Sequence, residues 1–284
     1  MSISKYLSNG IPIAEQAHLN GAFEKAKGLH LISFVDDDTA RTQDVQRYHH
    51  MCVRNGIVGN FAVVTNYLNG ENPLTDPNEL LSYQDDGFGC LIHAWRQNSN
   101  QDPTSPDFHN YFVPQYRDID KCRTNELRGL RDMQDFKFNN YRLWITPNGV
   151  YDDEIRDLAR FLGMKCLFSF APADNNYTYN SFANPIDRYH IYRTAFSNTE
   201  SNKAGTEAVK AQIDALMDDA NGGWLIITTH FNEWRELTWD TTTDDKGEIG
   251  YSRFNVLAQY AVESGAKIVS LQEGFSYIEP MMIN

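Results

Sequence analysis

Two rhythms of apolar residues alternate along this chain. Short unbroken apolar runs give way to longer stretches in which apolar residues return every three or four positions. The first rhythm predicts strands buried on both faces, and the second predicts helices with one buried stripe. Leu29–Val35 is the first run, with Gly28 before it and Asp36-Asp37-Asp38 after it. Thr42–Asn55 reads as a helix with Val45, Tyr48 and Cys52 on one face and Gly56 as its stop. Phe61–Val64 and Cys90–His93 predict the second and third strands, and Arg117–Met133 predicts a helix. Tyr141–Thr146 predicts a fourth strand that stops at Pro147. Asp152-Asp153-Glu154 then opens a helix with acids in its first turn, where the dipole favours them. Ile155, Leu158, Ala159 and Leu162 form its stripe, and Gly163 ends it. Cys166–Phe170, Tyr189–Ala195 and Trp224–Thr228 predict strands five to seven, with a helix over Lys203–Asp219. Phe254, Leu257, Ala258 and Ala261 mark a last helix before Gly265, and Lys267–Leu271 predicts a final strand.

Strand and helix alternate over nearly the whole length, which predicts an α/β fold of parallel strands wrapped by helices. A chain of 284 residues suits one barrel domain, 1–284, with 1–28 as an N-terminal extension. Composition narrows the partners. A net charge of -13 argues against nucleic acid, which needs Lys and Arg patches, and against anionic membrane surfaces. Cys52, Cys90, Cys122 and Cys166 are far apart and read as small buried hydrophobes rather than as a zinc site. Met1–Lys5 begins no long apolar segment, so no signal peptide is expected. The polar stretches 96–116 and 232–250 are long enough to predict functional loops.

Candidate chemistry collects at the strand ends. The aspartate triplet closes the first strand, and His93 closes the third. Pro147-Asn148-Gly149 follows the fourth, and His230 ends the seventh. Catalytic groups of barrels sit at the C-terminal ends of strands, so four separate candidates fall on one side of the predicted fold. Adjacent carboxylates repel one another, and a cation or a proton-transfer role would use that repulsion. The plainer reading of the triplet is an acidic turn that caps the next helix. The plainer reading of His93 is a core histidine. His18, His30 and His190 read as structural, His49 and His50 as helix-surface residues, and His109 as solvated. Trp95, Trp234 and Trp239 flank the candidate site in sequence, with sugar stacking or loop anchoring as their readings.

In order and spacing these motifs resemble those of the polysaccharide deacetylases, the NodB-homology carbohydrate esterases. The resemblance rests on Phe34-Val35-Asp36-Asp37-Asp38, on His93-Ala94-Trp95-Arg96-Gln97, on the turn opening Pro147-Asn148-Gly149-Val150-Tyr151, and on Leu225–His230. It covers roughly residues 29 to 275. It implies a distorted (β/α) barrel with about seven parallel strands. It also implies a metal-dependent hydrolase that removes acetyl groups from an amino sugar or acetylated polysaccharide, so the partner is a carbohydrate substrate. The implied cofactor is a divalent metal, zinc first, with cobalt, nickel and manganese as alternatives. Carried over by residue, Asp36 is the general base, Asp37 and His93 are metal ligands, and His230 is the general acid. Pro147, Asn148, Gly149 and Tyr151 contact substrate, with a backbone N–H near Asn148 on the oxyanion, and Trp234 is a further substrate-binding candidate through sugar stacking. The third aspartate allows a register shifted by one, with Asp37 as base and Asp38 as ligand.

Gln97 stands where the family has its second metal histidine. A neutral amide oxygen should hold zinc less tightly, and Asn98, His109 or a water are the alternatives. Ile145 takes the place of an arginine that often precedes the turn. The expected Asp-Trp motif is missing from 171–195, which offers Asp174, Asp187 and Arg193 instead. Two further readings stand beside the first: a catalytically inactive barrel that binds carbohydrate, and a hydrolase of small non-sugar amides.

Overall fold

The computed structural model describes residues 7–8, 11–12, 21–37, 39, 42–68, 75–95, 112–139, 141–170, 179–196, 205–231 and 251–283. Seven strands form at the predicted places. They are β1 (Leu29–Asp36), β2 (Gly59–Val64), β3 (Gly89–Ala94), β4 (Leu143–Ile145), β5 (Cys166–Phe170), β6 (Ile191–Ala195) and β7 (Gly222–Thr229). Each pairs in parallel with the next, and β7 pairs back onto β1 from Gly222 opposite Leu29 to Thr229 opposite Asp36. The sheet is therefore a closed parallel barrel of seven strands.

Helices follow the strands: α1 (Thr42–Arg54), α2 (Pro77–Asp85), α3 (Ile119–Asp135), α4 (Asp153–Phe161), α5 (Thr206–Asp218), α6 (Tyr251–Glu263) and α7 (Leu271–Ile278). Side chains stop several of them from fraying. Asp118, Asp152 and Ser270 accept the backbone N–H of Lys121, Ile155 and Glu273 at the starts of α3, α4 and α7.

The barrel is distorted at one seam. β1 meets β2 only from Phe34 to Asp36, and lower down a short strand β8 (Lys267–Ile268) pairs with Leu31 and Ile32 instead. Asn60 bridges the seam, donating to Phe34 O at 2.8 Å and accepting from Leu271 N–H at 2.7 Å.

Side chains leave each strand on alternate faces. Ile32, Phe34, Phe61, Ile92, Trp144, Leu167 and Ile227 pack in one cluster with helix residues such as Val45, Ile155, Ile213 and Leu257. Leu31, Val35, Leu91, Ile145, Phe168, Ile191, Trp224 and Ile226 form a second cluster. The first cluster is the layer between strands and helices, and the second fills the barrel. Inside, the Trp224 ring meets Phe168 edge-on at 5.7 Å, and its indole N–H donates to Ser33 at 3.0 Å.

Three sequence expectations need correction. Lys267–Leu271 is not a full strand: pairing ends at Ile268, and Leu271 starts α7. The helix over 251–263 is therefore not the last. The helix expected from Arg117 starts at Ile119, because Asp118 caps it. All four cysteines are buried and free, as their spacing suggested.

Candidate functional site

The alternation that fills the barrel also decides which strand-end residues face its mouth. On β1 the inward series Leu31, Ser33, Val35 continues to Asp37; on β3 Leu91 continues to His93; on β6 Ile191 continues to Arg193. The three meet. Arg193 Nη1 donates to Asp37 Oδ2 at 2.5 Å, and His93 Nδ1 lies 3.6 Å from Asp37 Oδ1. All three are buried.

Each is held from a second side. His93 Nδ1 donates to Ile145 O at 2.8 Å, which leaves the lone pair of the neutral ring on Nε2. Arg193 Nη2 donates to Thr146 O at 2.9 Å, and its guanidinium lies 4.3 Å from the centre of the Phe170 ring. Thr146 O also takes the Gly149 N–H at 3.0 Å, closing the turn that contains Pro147 and Asn148. That turn is left-handed at Asn148 (φ 55) and at Gly149 (φ 61). A Cβ on Gly149 would come within 2.0 Å of the Phe170 ring, so the position demands glycine twice over. Pro147 is buried and Asn148 exposed.

Asp36 takes the other face of β1. Its Oδ1 accepts the Phe231 N–H at 2.9 Å, and its charge helps push up the Tyr48 phenol and Cys52 thiol of α1, after burial itself. The structure thus brings Asp37 and His93 together and sets Asp36 toward the helix layer. His230 directly follows β7, half-buried and on the same parity as Thr228. Tyr151 stacks on His190 at 3.5 Å, and its hydroxyl accepts from Arg156 Nη2 at 2.6 Å. Gln97, Trp234, Asp38, Asn98, His109 and Trp239 lie outside the described residues.

Two features went unread in the sequence. Arg193 is a strand residue to which the sequence gives no partner. Its signal is a lone cation in Ile191-Tyr192-Arg193-Thr194-Ala195, on the same parity as the inward Ile191. The other is a groove of about 520 Å³ beside Trp95, bounded by Asp118, Asp120, Lys121, Asn125 and Arg128. The Arg128 guanidinium sits 4.6 Å from the Trp95 ring centre, and Trp95 N–H donates to Asn125 Oδ1 at 2.9 Å. Trp95 follows His93 by two residues, so the groove begins near the mouth.

Asp37 and His93 are two of the donors a divalent cation needs; the ring atom 3.6 Å from Asp37 Oδ1 is the N–H-bearing Nδ1, and the ring's lone pair is on Nε2. Asp37 Oδ1 is buried without a hydrogen-bond partner among the described residues, and His93 adds an imidazole nitrogen. No group of three or more His, Cys, Asp or Glu side chains converges among the described residues. Among those residues, no helix is long and apolar enough to cross a membrane.

No protein-family model matches this chain, and no curated protein matches its sequence. Solved structures do match its fold. One is the Xyl-CE4 domain of a multidomain xylanase from the hindgut metagenome of Trinervitermes trinervoides, at TM-score 0.51 and 12% identity over 87% of this chain and 90% of that one. A family 4 acetyl xylan esterase from Clostridium thermocellum, solved with a cobalt ion, matches at TM-score 0.52 and 12% identity over 87% and 90%. A peptidoglycan deacetylase from Bacillus subtilis matches at TM-score 0.51 and 9% identity over 88% and 92%. At such identities the likeness is one of fold: the distorted barrel is shared.

Proposed function

We propose that this chain is a metal-dependent hydrolase that removes acetyl groups from a carbohydrate, with the barrel mouth as its active site. The observation that carries the reading is the meeting of Asp37 and His93, a partnerless buried carboxylate oxygen beside an imidazole of fixed tautomer. The barrel is shared with an acetyl xylan esterase and a peptidoglycan deacetylase, which supports the choice of acetylated glycan.

Asp37 Oδ1 and His93 Nε2 are the donors proposed for the ion, with Gln97 as the third. Zinc is the first choice; cobalt, nickel and manganese accept the same oxygen and nitrogen donors. When bound, the ion supplies polarisation of the acyl carbonyl and a more acidic water. The chain does the rest. The Asn148 N–H is the donor proposed for the oxyanion, since the Gly149 N–H is already spent on Thr146 O. His230 gives a proton to the leaving amine or alcohol. Asp36, through the Phe231 N–H, steadies the backbone next to His230. The groove beside Trp95 receives a neighbouring sugar, its hydroxyls against Asp118, Asp120 and Arg128.

In the first register the water's proton goes to Asp36; the orientation of Asp37 also supports the shifted register, in which Asp37 takes that proton and Asp38 is the ligand. Single substitutions separate the two. With Asp37 as ligand, Asp37→Asn loses zinc affinity and acetate release together. With Asp37 as base, the same variant keeps zinc and loses only acetate release. The experiment is zinc titration and acetate release from acetylated xylo- and chito-oligosaccharides. A wild-type protein that binds these sugars and releases no acetate is an inactive carbohydrate-binding barrel; one that neither binds zinc nor releases acetate sinks the proposal.

A further inference from the structure

Arg193 is a costly residue to place where it is. Its side chain is 0% exposed in the middle of a barrel strand, where desolvating a charge outweighs much of what an ion pair returns. One donor, Nε, has no hydrogen-bond partner among the described residues. A buried ion pair with such a gap is at best neutral for stability beside an apolar side chain of similar volume. Fold stability alone therefore does not account for it.

What the guanidinium does accomplish is geometric. It reaches from β6 to Asp37 after β1, to Thr146 O after β4, and onto the face of Phe170 at the end of β5. Gly149 makes room for that Phe170 ring, because any side chain there would strike it. The turn, the aromatic ring, the cation and the carboxylate form one contiguous stack around the mouth.

We infer that Arg193 is the positioning residue of this site: it ties Asp37 by Oδ2 to the base of the Pro147 turn, so that Oδ1 alone is presented to the mouth. Two consequences follow, and both rest on the proposed function. The carboxylate acts through one oxygen in a fixed orientation. The guanidinium charge beside it also opposes a second cation, so zinc is held more weakly than Asp37 and His93 would hold it without Arg193. Arg193 thereby exchanges metal affinity for alignment.

The test compares wild type with Arg193→Met and Arg193→Lys, using zinc affinity by chelator competition and acetate release from acetylated oligosaccharides. Arg193→Met should bind zinc about tenfold tighter or more while acetate release falls at least as far. Arg193→Lys should stay near the wild-type zinc affinity, because it keeps the charge. Zinc binding in a folded Arg193→Met that is unchanged or weaker, or acetate release that is undiminished, overturns the inference. A metal-free readout covers the other cases. Asp37→Asn combined with Arg193→Met should withstand more urea than Arg193→Met alone, because the double variant removes the stranded carboxylate. Should Arg193→Met not fold, the double variant should recover a urea transition; should wild type show neither zinc binding nor acetate release, the urea midpoints of the two variants decide. A double variant no more stable than the single one then refutes the clamp. The wild-type measurements by themselves judge the proposed function.

Discussion

Asp37 leaves one carboxylate oxygen buried without a hydrogen-bond partner among the described residues, and Glu126 leaves both. Glu126 sits fully buried on α3, and neither of its carboxylate oxygens has a hydrogen-bond partner among the described residues. Desolvation alone therefore pushes its pKa well above the ordinary 4.5. A carboxyl whose folded pKa is raised binds its proton more tightly in the native state than in the unfolded one. Its contribution is intact below about 4.5 and is lost as pH climbs through the folded value. Glu126→Gln should remove that downward slope of stability with pH, and Glu126→Met should raise stability by about 1–3 kcal/mol at neutral pH. Urea unfolding from acid to neutral pH checks both; parallel pH curves for wild type and Glu126→Gln would show that Glu126 is not the source. At this scale the sequence was partly legible. Asp37 and His93 could be read because they end apolar strands, and parity then set them inward. Arg193 could not be read, because nothing local says that a cation within a strand will find a carboxylate 156 positions away in the chain.

Elements were legible where periodicity and a stop signal agree. α1, α4 and all seven barrel strands follow that rule, with ends shifted by a residue or two. α2 and α7 were missed for different reasons. α2 buries only Leu80 and Gln84, so its stripe is too thin to register, although Asp76 and Pro77 form a proper start. α7 carries Gly274 in its middle, which reads as a break, and it directly follows an apolar run that reads as strand. Packing explains the glycine. A Cβ at Gly274 would lie 2.4 Å from the Trp224 ring, which is itself locked inside the barrel. Helix propensity and packing then make opposite predictions for Gly274→Ala. Propensity promises a gain of up to about 1 kcal/mol, whereas overpacking costs about 1–3 kcal/mol. Packing should win, because the Trp224 indole is fixed on both sides by Phe168 and Ser33. The variant should unfold at a lower urea concentration than wild type, and a higher midpoint would mean that α7 slides freely across the barrel floor.

Barrel closure is the one property that no local pattern carries. Repeated strand–helix units imply parallel neighbours, but the pairing of β7 with β1 joins segments at opposite ends of the described barrel and leaves no mark in either. Closure has an energetic consequence. The same seven strands carry two cores on alternate faces, one inside the barrel and one beneath the helices. Opening any seam exposes inward and outward side chains together, so neither core can melt while the other persists. Trp224 reports the inner core and Trp144 the outer, and both are fully buried. Trp224→Phe and Trp144→Phe, each compared with wild type, isolate the fluorescence of the two sites. The two difference signals and the far-ultraviolet circular dichroism should share one urea midpoint, as a cooperative transition requires. If Trp144 loses its native emission at a lower midpoint than Trp224, the helix layer peels from an intact barrel. The closed sheet would then be a self-sufficient core, and the seam bridged by Asn60 would not couple the two layers.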